Sequence, residues 1–195
     1  MAGKRRAAFL DRDGTINVEK RYLHKTEDFE FIPGAPEAIK SLKAAGFLVV
    51  VVSNQSGIAR GYFDEDAVEK LHRHIQGELI CLGTSIDAFY FCPHHPDEGL
   101  GEYKVVCDCR KGQPGMLLQA ARDHNIDLSR SFMVGDKIAD IEAAENAGCK
   151  PIMVLTGYGQ SEAHKLVQGR ATICEDIVDA VKEILRIYNK EVEME

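Results

Sequence analysis

The sequence predicts an α/β fold: a Rossmann-like three-layer sandwich with a mostly parallel sheet. Short apolar runs alternate with segments whose apolar residues recur at helical spacing, which is typical of a parallel sheet with helices on both faces. The run from Phe47 to Val52 is continuous and rich in valine, as in a strand covered on both faces. Polar residues follow several runs directly, at the edge where such sheets bind ligands.

Six apolar runs are predicted as strands. The first is short and ends at two acidic residues, Asp11 and Asp13. The others are separated by helical segments, so each strand is expected to lie parallel to its neighbours. The six are Ala7–Leu10, Phe47–Val52, Ile86–Phe91, Ser131–Val134, Pro151–Leu155 and Ala171–Ile173.

Five segments are predicted as helices. Pro36 is favourable at a first helical position and Gly46 is a stop, while Asp64 is the expected N-cap of the second helix. The five are Pro36–Ala45, a helix from Asp64 through Leu79, Gly115–His124, Ile138–Ala147 and Ile177–Tyr188. The charged tail from Lys190 to Glu195 is expected to fray. No linker or repeat interrupts the pattern, so one domain over residues 1–195 is expected.

Charge and hydropathy restrict the partners of the chain. It has 195 residues, with 24 basic and 31 acidic side chains and a net charge of −7. Non-specific nucleic-acid binding needs an excess of Lys and Arg, whereas a phosphorylated small molecule needs only a few cations in a pocket. No apolar run approaches the roughly 20 residues that cross a bilayer, and the basic start, Met1 to Arg6, leads into a strand. The sequence therefore predicts a cytoplasmic monomer without nucleic-acid or membrane partners.

Polar side chains at the strand ends predict a magnesium site. Asp11 and Asp13 lie two residues apart where the first strand stops, and such carboxylates repel each other unless a cation lies between them. Ser53-Asn54 and Asp136 follow two other strands. Because the carboxyl ends of parallel strands share one edge, these groups are expected to converge. This arrangement suits Mg²⁺ and an aspartate that attacks phosphorus.

Each of these signals has an ordinary structural alternative. The Asp-x-Asp pair can be a solvated turn, and Ser53-Asn54 can cap a helix. Gly135-Asp136 can be a turn, and Arg110-Lys111 can be a solvated basic pair. The order of the signals, at successive strand ends, favours an active site over these alternatives.

Three cysteines and a histidine form a C-x-H pair and a C-x-C pair, twelve residues apart: Cys92, His94, Cys107 and Cys109. This ligand set matches a closed, four-coordinate structural zinc site, which would order a loop of about residues 92–109 that is too polar to fold by burial. The alternatives are unrelated residues, or a disulfide between Cys107 and Cys109, which would be strained. Four ligands suffice without His95. The zinc loop would fix Arg110 and Lys111 beside the catalytic edge.

These segments resemble the four motifs of the haloacid dehalogenase-like phosphohydrolases, over essentially the whole chain. The matching segments are Asp11-Arg12-Asp13-Gly14-Thr15, Ser53-Asn54, Lys111, and Gly135-Asp136-Lys137 with Asp140. The resemblance implies that Asp11 is the nucleophile and Asp13 the general acid and base. It implies that Ser53 and Lys111 contact the phosphoryl oxygens. It also implies Mg²⁺ on Asp11, Asp136 and the Asp13 carbonyl, with Asp140 orienting Lys111 or Lys137.

The zinc loop resembles that of one branch of this family, which removes phosphate from heptose 1,7-bisphosphate or histidinol phosphate. The twelve-residue gap favours the heptose bisphosphate, with histidinol phosphate as the alternative. The heptose enzymes act in nucleotide-activated heptose biosynthesis, so the resemblance implies a role in making lipopolysaccharide or S-layer glycans. No insertion is long enough for a large cap domain, so the site is expected to be open. The resemblance implies these substrate-binding residues: Glu19, Lys20, Arg21, Tyr22, Ser53, Asn54, Gln55, Ser56, Arg110 and Lys111. Lys20 and Arg21 are equally compatible with solvated charges.

Overall fold

Six parallel strands form one sheet at the centre of the molecule, and the computed structural model describes residues 3–194. The strands are β1 (Ala7–Leu10), β2 (Leu48–Asn54), β3 (Ala88–Cys92), β4 (Phe132–Gly135), β5 (Lys150–Val154) and β6 (Thr172–Cys174). Their order is β3-β2-β1-β4-β5-β6, and every neighbouring pair is parallel. The predicted α/β class is confirmed, with a fully parallel sheet where a mostly parallel one was expected.

Helices cover both faces of this sheet. They are α1 (Ala35–Ala44), α2 (Ser56–Ala59), α3 (Glu65–Cys81), α4 (Gly115–His124), α5 (Ile138–Ala147), α6 (Gly159–Ala163) and α7 (Ile177–Met194), with single 3₁₀ turns at Thr26–Asp28, Gly101–Tyr103 and Leu128–Arg130. The N-cap prediction for α3 is confirmed, because the Asp64 side chain accepts a hydrogen bond from the Ala67 N–H at 2.9 Å.

The alternation of side chains along β1 explains the three layers. Ala8 and Leu10 join the apolar cluster that includes α1, α3 and α7, whereas Ala7 and Phe9 join the cluster that includes α4 and α5. Successive residues of a strand point to opposite faces, so a strand that is buried on both faces must be apolar at every position. All four residues of β1 are fully buried.

Most strand ends lie one or two residues from their predicted positions, and three of the differences bear on the site or on the C-terminal helix. Strand β2 continues through Ser53 and Asn54, so these polar residues end the strand instead of following it. Strand β3 reaches Cys92, the first predicted zinc ligand. Helix α7 is continuous to Met194, so the predicted fraying from Lys190 is wrong within the described residues. Ion pairs from Lys150 and Arg6 to Glu191 hold these last turns.

Short elements were not predicted at all. Helices α2 and α6 have four and five residues, too few for a helical period to show in the sequence. The residues at the two extreme ends, 1–2 and 195, which belong to the predicted basic start and charged tail, lie outside the described residues. Between residues 3 and 194, none of the helices combines the length and the apolar composition that a bilayer crossing needs.

The strand order reverses beside β1, which places the functional edge. Chain order runs outward from β1 to β2 and β3 on one side, and from β4 to β6 on the other. Ligands of such sheets bind in the crevice at this reversal, outside the carboxyl ends of the strands. Asp11 and Asp136 directly follow the two strands that meet there.

Candidate active site

A buried acidic cluster lies at the carboxyl ends of β1 and β4. Asp11, Asp136 and Asp140 each offer a carboxylate oxygen, and these oxygens lie within 4.8 Å of one another. All three residues are buried. Carboxylates this close in a low-dielectric setting need a cation to remain charged, so the cluster has the chemistry of a hard-metal site.

One oxygen of Asp136 lacks a hydrogen-bond donor. The Tyr158 N–H donates to Oδ2 at 2.8 Å, whereas Oδ1 is buried without a hydrogen-bond partner and has the Lys137 Nζ 3.9 Å away. Burial, and then the charge of Asp11, raise the pKa of Asp136 to about 8. A bound divalent cation would satisfy this oxygen and stabilise its charge, so the residues fit Mg²⁺.

Gly14 gives the backbone room to pass beneath Asp136. Its φ is +85°, and a Cβ there would lie 2.3 Å from the Asp136 Oδ2 and 3.1 Å from the Cα of Gly157. The loop after β1 can therefore approach the loop after β5 only without a side chain at this position.

We expect Gly14→Ala to lower kcat/KM by about 100-fold, because the added methyl group displaces the Asp136 carboxylate and a misplacement near 1 Å has an effect of this order. Steady-state phosphate release would measure the loss, and Mg²⁺ titration would show weaker binding. Gly46→Ala is the matched control, since Gly46 also has φ of +85° but no atom within 4 Å of the added Cβ. Equal losses in the two variants would contradict the steric explanation.

Lys111 links the acidic cluster to β2. Its Nζ donates to the Asp11 Oδ1 at 2.5 Å and to the Val52 carbonyl at 2.9 Å, and lies 2.7 Å from the Asp140 Oδ1. Burial alone would lower the pKa of Lys111, but Asp11 and Asp140 raise it above its ordinary value. The Asn54 side chain fixes the Lys111 backbone, accepting from its N–H at 2.8 Å and donating to its carbonyl at 3.4 Å.

The Asp13 carboxylate is surrounded by donors. Arg12 donates to it twice, from Nε at 3.2 Å and from Nη2 at 2.8 Å. The side-chain amides of Asn17 and Gln55 donate at 3.0 and 3.2 Å. Burial raises the pKa of Asp13, but the Arg12 charge and these hydrogen bonds outweigh it and lower the pKa below its ordinary range.

His72 is a buried histidine behind this arrangement, on α3. Its Nε2 lies 3.4 Å from the Arg12 Nη1, and its ring stacks on Phe89. Burial, and then the Arg12 charge, lower the pKa of His72 to about 3, although Asp13 opposes the shift. The folded protein therefore keeps this imidazole neutral at neutral pH.

This shift predicts acid sensitivity of the fold. The unfolded chain protonates His72 near pH 6.5, but the folded chain resists protonation down to about pH 3, so the free energy of unfolding falls as pH falls between these values. At about 1.4 kcal/mol per pH unit, the wild type should lose about 2 kcal/mol more than His72→Leu between about pH 7.5 and about pH 5. Urea denaturation at both pH values measures this; parallel losses would contradict the assignment.

An open cavity of about 440 Å³ lies over the cluster. It is lined by Asp11, Asp13, Glu19, Arg21, Tyr22, Asn54, Gln55, Ser56, Gly57, Lys111, Lys137, Ala139, Asp140 and Tyr158. Most of the predicted substrate-binding residues thus share one cavity. The other three do not line it: Lys20 pairs with Glu30 at 3.1 Å, Arg110 donates to the His94 carbonyl at 3.0 Å, and Ser53 is buried, with its Oγ accepting from Gln55 at 3.1 Å.

Five lining residues were not among the predicted catalytic, substrate-binding or metal-binding residues: Gly57, Lys137, Ala139, Asp140 and Tyr158. The Lys137 Nζ lies 4.6 Å from the centre of the Tyr158 ring and 3.6 Å from the Glu19 carboxylate. Burial would lower the pKa of Lys137, but Asp11 and its other acidic neighbours raise it. The motif Gly135-Asp136-Lys137 contained a signal for this lysine. The signal for Tyr158 was its place just after a predicted strand.

The predicted zinc ligands form one cluster in the structure. The Cys109 Sγ lies 3.2 Å from the sulfurs of Cys92 and Cys107 and 3.4 Å from the His94 Nδ1. A tetrahedral ion with bonds of about 2.3 Å to sulfur places sulfurs about 3.8 Å apart, so the donor set fits a zinc-sized ion with small adjustments. Burial, and then the Cys109 thiol, raise the pKa of Cys92, so thiolates need a metal here.

The disulfide alternative is wrong. All six cysteines are free thiols, and the Cys107 and Cys109 sulfurs are 3.2 Å apart. The alternative of unrelated residues is also wrong as a description of geometry, because all four ligand atoms lie within 4.8 Å of one another.

The parallel sheet, the acidic cluster at its reversal point and the neighbouring lysine define a haloacid dehalogenase-like hydrolase. A family model described as HAD-hydrolase-like matches residues 108–180. The D-glycero-beta-D-manno-heptose-1,7-bisphosphate 7-phosphatase of Pasteurella multocida is 50% identical over 162 residues, 83% of this chain and 88% of that one. The same-named protein of Photorhabdus laumondii is 46% identical over 181 residues, 91% of this chain and 96% of that one.

Solved structures agree with these sequence relatives. The D,D-heptose 1,7-bisphosphate phosphatase of B. bronchiseptica, complexed with magnesium and phosphate, is 35% identical, with a TM-score of 0.83 over 93% of this chain and 99% of that one. The corresponding phosphatase of Burkholderia thailandensis is 28% identical, with a TM-score of 0.69 over 93% of this chain and 99% of that one. The chain belongs to the D-glycero-beta-D-manno-heptose-1,7-bisphosphate 7-phosphatase family of haloacid dehalogenase-like hydrolases.

Proposed function

We propose that this chain hydrolyses the 7-phosphate of D-glycero-β-D-manno-heptose 1,7-bisphosphate, leaving the 1-phosphate in place. The observation that carries the proposal is the convergence of Asp11, Asp13 and Lys111 on one open cavity beside a buried acidic cluster. The names of the relatives reported above support the substrate and its β anomer. The same names do not favour the histidinol-phosphate alternative.

Magnesium is the proposed cofactor of the acidic cluster. Asp11 and Asp136 would hold it through their side chains, and Asp13 through its backbone carbonyl. The unpartnered Oδ1 of Asp136 supports this assignment, as does the magnesium in the solved B. bronchiseptica relative. When bound, Mg²⁺ supplies positive charge that offsets repulsion between the acids and the substrate phosphate.

Asp11 is the proposed nucleophile. Lys111 and the Arg12 N–H donate to its Oδ1 and fix the carboxylate, so that one of its two oxygens can attack phosphorus while the other would hold the metal. A bond forms between the attacking Asp11 oxygen and phosphorus while the bond from phosphorus to the heptose O7 breaks, and the Asp13 proton passes to O7. The products of this step are an aspartyl-phosphate and heptose 1-phosphate.

Asp13 acts in both halves of the proposed reaction. The donors that lower its pKa favour the charged carboxylate, which accepts a proton from the water that attacks the aspartyl-phosphate. That attack breaks the bond between phosphorus and Asp11 and releases inorganic phosphate. Negative charge of an incoming substrate phosphate disfavours the charged form, so substrate binding helps Asp13 to carry the proton that it donates in the first half.

The remaining polar groups are proposed to bind the substrate. Lys111 and the Ser53 hydroxyl contact the transferred phosphoryl group, where charge must be stabilised. The loop of Glu19 to Tyr22 contacts the sugar; Arg21 and Tyr22 in this loop have φ of 47° and 54°, a strained backbone of the kind found at ligand sites. Ser53 to Ser56 and Arg110 complete the set, with Arg110 suited to a second anionic group.

The cysteine and histidine cluster is proposed to hold structural Zn²⁺. Three thiolates and an imidazole leave no open coordination position, so this ion would order the loop and take no part in the reaction. Its role is to position Arg110 and Lys111, which follow Cys109 directly.

Wider aspects of the function are proposed on the same basis. Residues 1–195 act as a single catalytic domain in the cytoplasm, as a monomer, in nucleotide-activated heptose biosynthesis for lipopolysaccharide. The open cavity supports a bulky, doubly charged sugar phosphate as the substrate. These residues need no partner chain to bring Asp11, Asp13 and Lys111 together.

Phosphate release with Mg²⁺ from the two anomers of heptose 1,7-bisphosphate and from histidinol phosphate tests the proposal. We expect kcat/KM for the β anomer to exceed that for histidinol phosphate by a factor on the order of 100, which corresponds to about 3 kcal/mol of transition-state discrimination. Faster hydrolysis of histidinol phosphate would contradict the proposed substrate. Preference for the α anomer would contradict only the proposed anomer.

A further inference from the structure

A row of buried side chains connects α3 to Asp13. His72 lies on the apolar face of α3, among Val68, Leu71 and Ile75. Its ring stacks on Phe89, with centroids 4.6 Å apart and planes 20° apart, and meets Phe91 at 5.9 Å with planes 66° apart. This histidine is therefore held in one orientation by residues of β3.

The contact between His72 and Arg12 defines a tautomer. The Arg12 side chain is fully buried, and a guanidinium has donors only. The Nε2 of His72, 3.4 Å from the Arg12 Nη1, must therefore be the acceptor, and the imidazole proton must lie on Nδ1. A protonated His72 would instead turn a donor toward a second buried cation.

The opposite side of the same guanidinium holds Asp13. Its Nε and Nη2 donate to the two Asp13 oxygens, and Nη2 also donates to the Leu23 carbonyl at 3.0 Å. A guanidinium group fixes the orientation of a carboxylate only if the guanidinium itself cannot rotate. Contacts to Leu23 and His72 restrain it on the sides away from Asp13.

We propose that His72 is a positioning residue for the reaction proposed above: by accepting from Arg12 it fixes the guanidinium that aims the Asp13 carboxylate at the leaving oxygen. The inference rests on the proposed function. Asn17 and Gln55 also hold Asp13, so removing the His72 contact loosens the carboxylate without releasing it.

The test compares two leaving groups in the wild type, His72→Leu and His72→Gln. A heptose alkoxide needs a proton from Asp13 to depart, whereas p-nitrophenolate departs without one. General acid catalysis contributes about 10²- to 10⁴-fold, so partial loss of positioning should lower kcat/KM for the heptose bisphosphate by about 10-fold in His72→Leu. This ratio reports only the steps up to departure of the leaving group, so the role of Asp13 in the second half of the reaction does not enter it. We expect little change in kcat/KM for p-nitrophenyl phosphate, and recovery of kcat/KM for the heptose bisphosphate in His72→Gln, whose amide oxygen can accept from Arg12.

Controls separate positioning from structure. His74→Leu alters a histidine on the same helix that packs on Phe29, and it should leave both activities unchanged. Equal losses of kcat/KM for both substrates in His72→Leu, or no loss, would overturn the proposal. A wild type inactive on the heptose bisphosphate would overturn the proposed function instead.

The tautomer gives a readout that needs no variant. Long-range ¹H–¹⁵N correlation on the wild type should show the His72 proton on Nδ1 and an unprotonated Nε2. A proton on Nε2 would overturn the proposal even if His72→Leu failed to fold or the wild type proved inactive.

Discussion

Asp11→Asn should lower kcat by a factor on the order of 10⁴ or more, the size of loss seen when a nucleophile is removed. The amide cannot form the bond to phosphorus, although it keeps the size of the carboxylate. The variant should fold normally, because it removes one of three mutually repelling acids, and Lys111 keeps its contacts with Asp140 and the Val52 carbonyl. Phosphate release and thermal unfolding measure the two effects.

A single turnover in H₂¹⁸O tests which atom water attacks, and an acid-quench trap tests the covalent intermediate itself. If water attacks phosphorus in an aspartyl-phosphate, the label enters inorganic phosphate and Asp11 stays unlabelled in the first turnover. An aspartyl-phosphate trapped by rapid acid quench should locate to the peptide with Asp11. Asp28→Asn, which alters an exposed acid on a 3₁₀ turn, should keep wild-type activity. Full activity of Asp11→Asn would contradict the proposed mechanism.

Cys107→Ser should release zinc and destabilise the protein. A ligand that binds only the folded state, at about a thousand times its Kd, stabilises that state by about 4 kcal/mol. If the variant loses most of this, about 3 kcal/mol, its Tm should fall by about 10 °C for a chain of this size. Metal analysis should show one zinc per wild-type chain and much less in the variant. Thermal unfolding then measures the fall in Tm.

Hydrogen exchange should locate this destabilisation in the loop between the two ligand pairs. Cys81→Ser is the matched control, because Cys81 is an exposed thiol outside the cluster. Activity of Cys107→Ser should fall by less than that of Asp11→Asn, since Asn54 still holds the Lys111 backbone. An unchanged Tm in a zinc-free variant would mean that the cluster has no structural role.

The sequence predicted the centre of the sheet well because β1, β2 and β4 are buried on both faces. The run from Phe47 to Val52 is continuous, rich in valine and too short for a typical helix, which favours a strand covered on both faces. The end of β2 was misplaced, because Ser53 and Asn54 are polar yet still pair with Phe91 and Cys92 of β3. Pairing with a neighbouring strand depends on a distant segment, and single-sequence patterns do not contain it.

The site was predictable where function imposes a local pattern. Asp11 and Asp13 stand out because two acidic residues, separated by one position, rarely follow a buried strand. The four predicted zinc ligands stand out because they form two closely spaced pairs. The sequence could not show which of two adjacent charged residues faces the site: Arg21 lines the cavity, whereas Lys20 pairs with Glu30. The contact of His72 with Arg12 crosses 60 positions of the chain, and no local pattern indicates it.

The central place of β1 has a consequence for synthesis of the protein on the ribosome. The Ala7 N–H donates to the Ser131 side chain, 124 positions further along the chain, and Ala8 pairs with Phe132. Until β4 has emerged, one side of β1 is an unpaired apolar edge, which invites aggregation. Contacts so distant in sequence also form slowly. The acids of β1 and β4 therefore meet only after about two thirds of the chain has been made, so a nascent chain stopped earlier holds half of a catalytic centre.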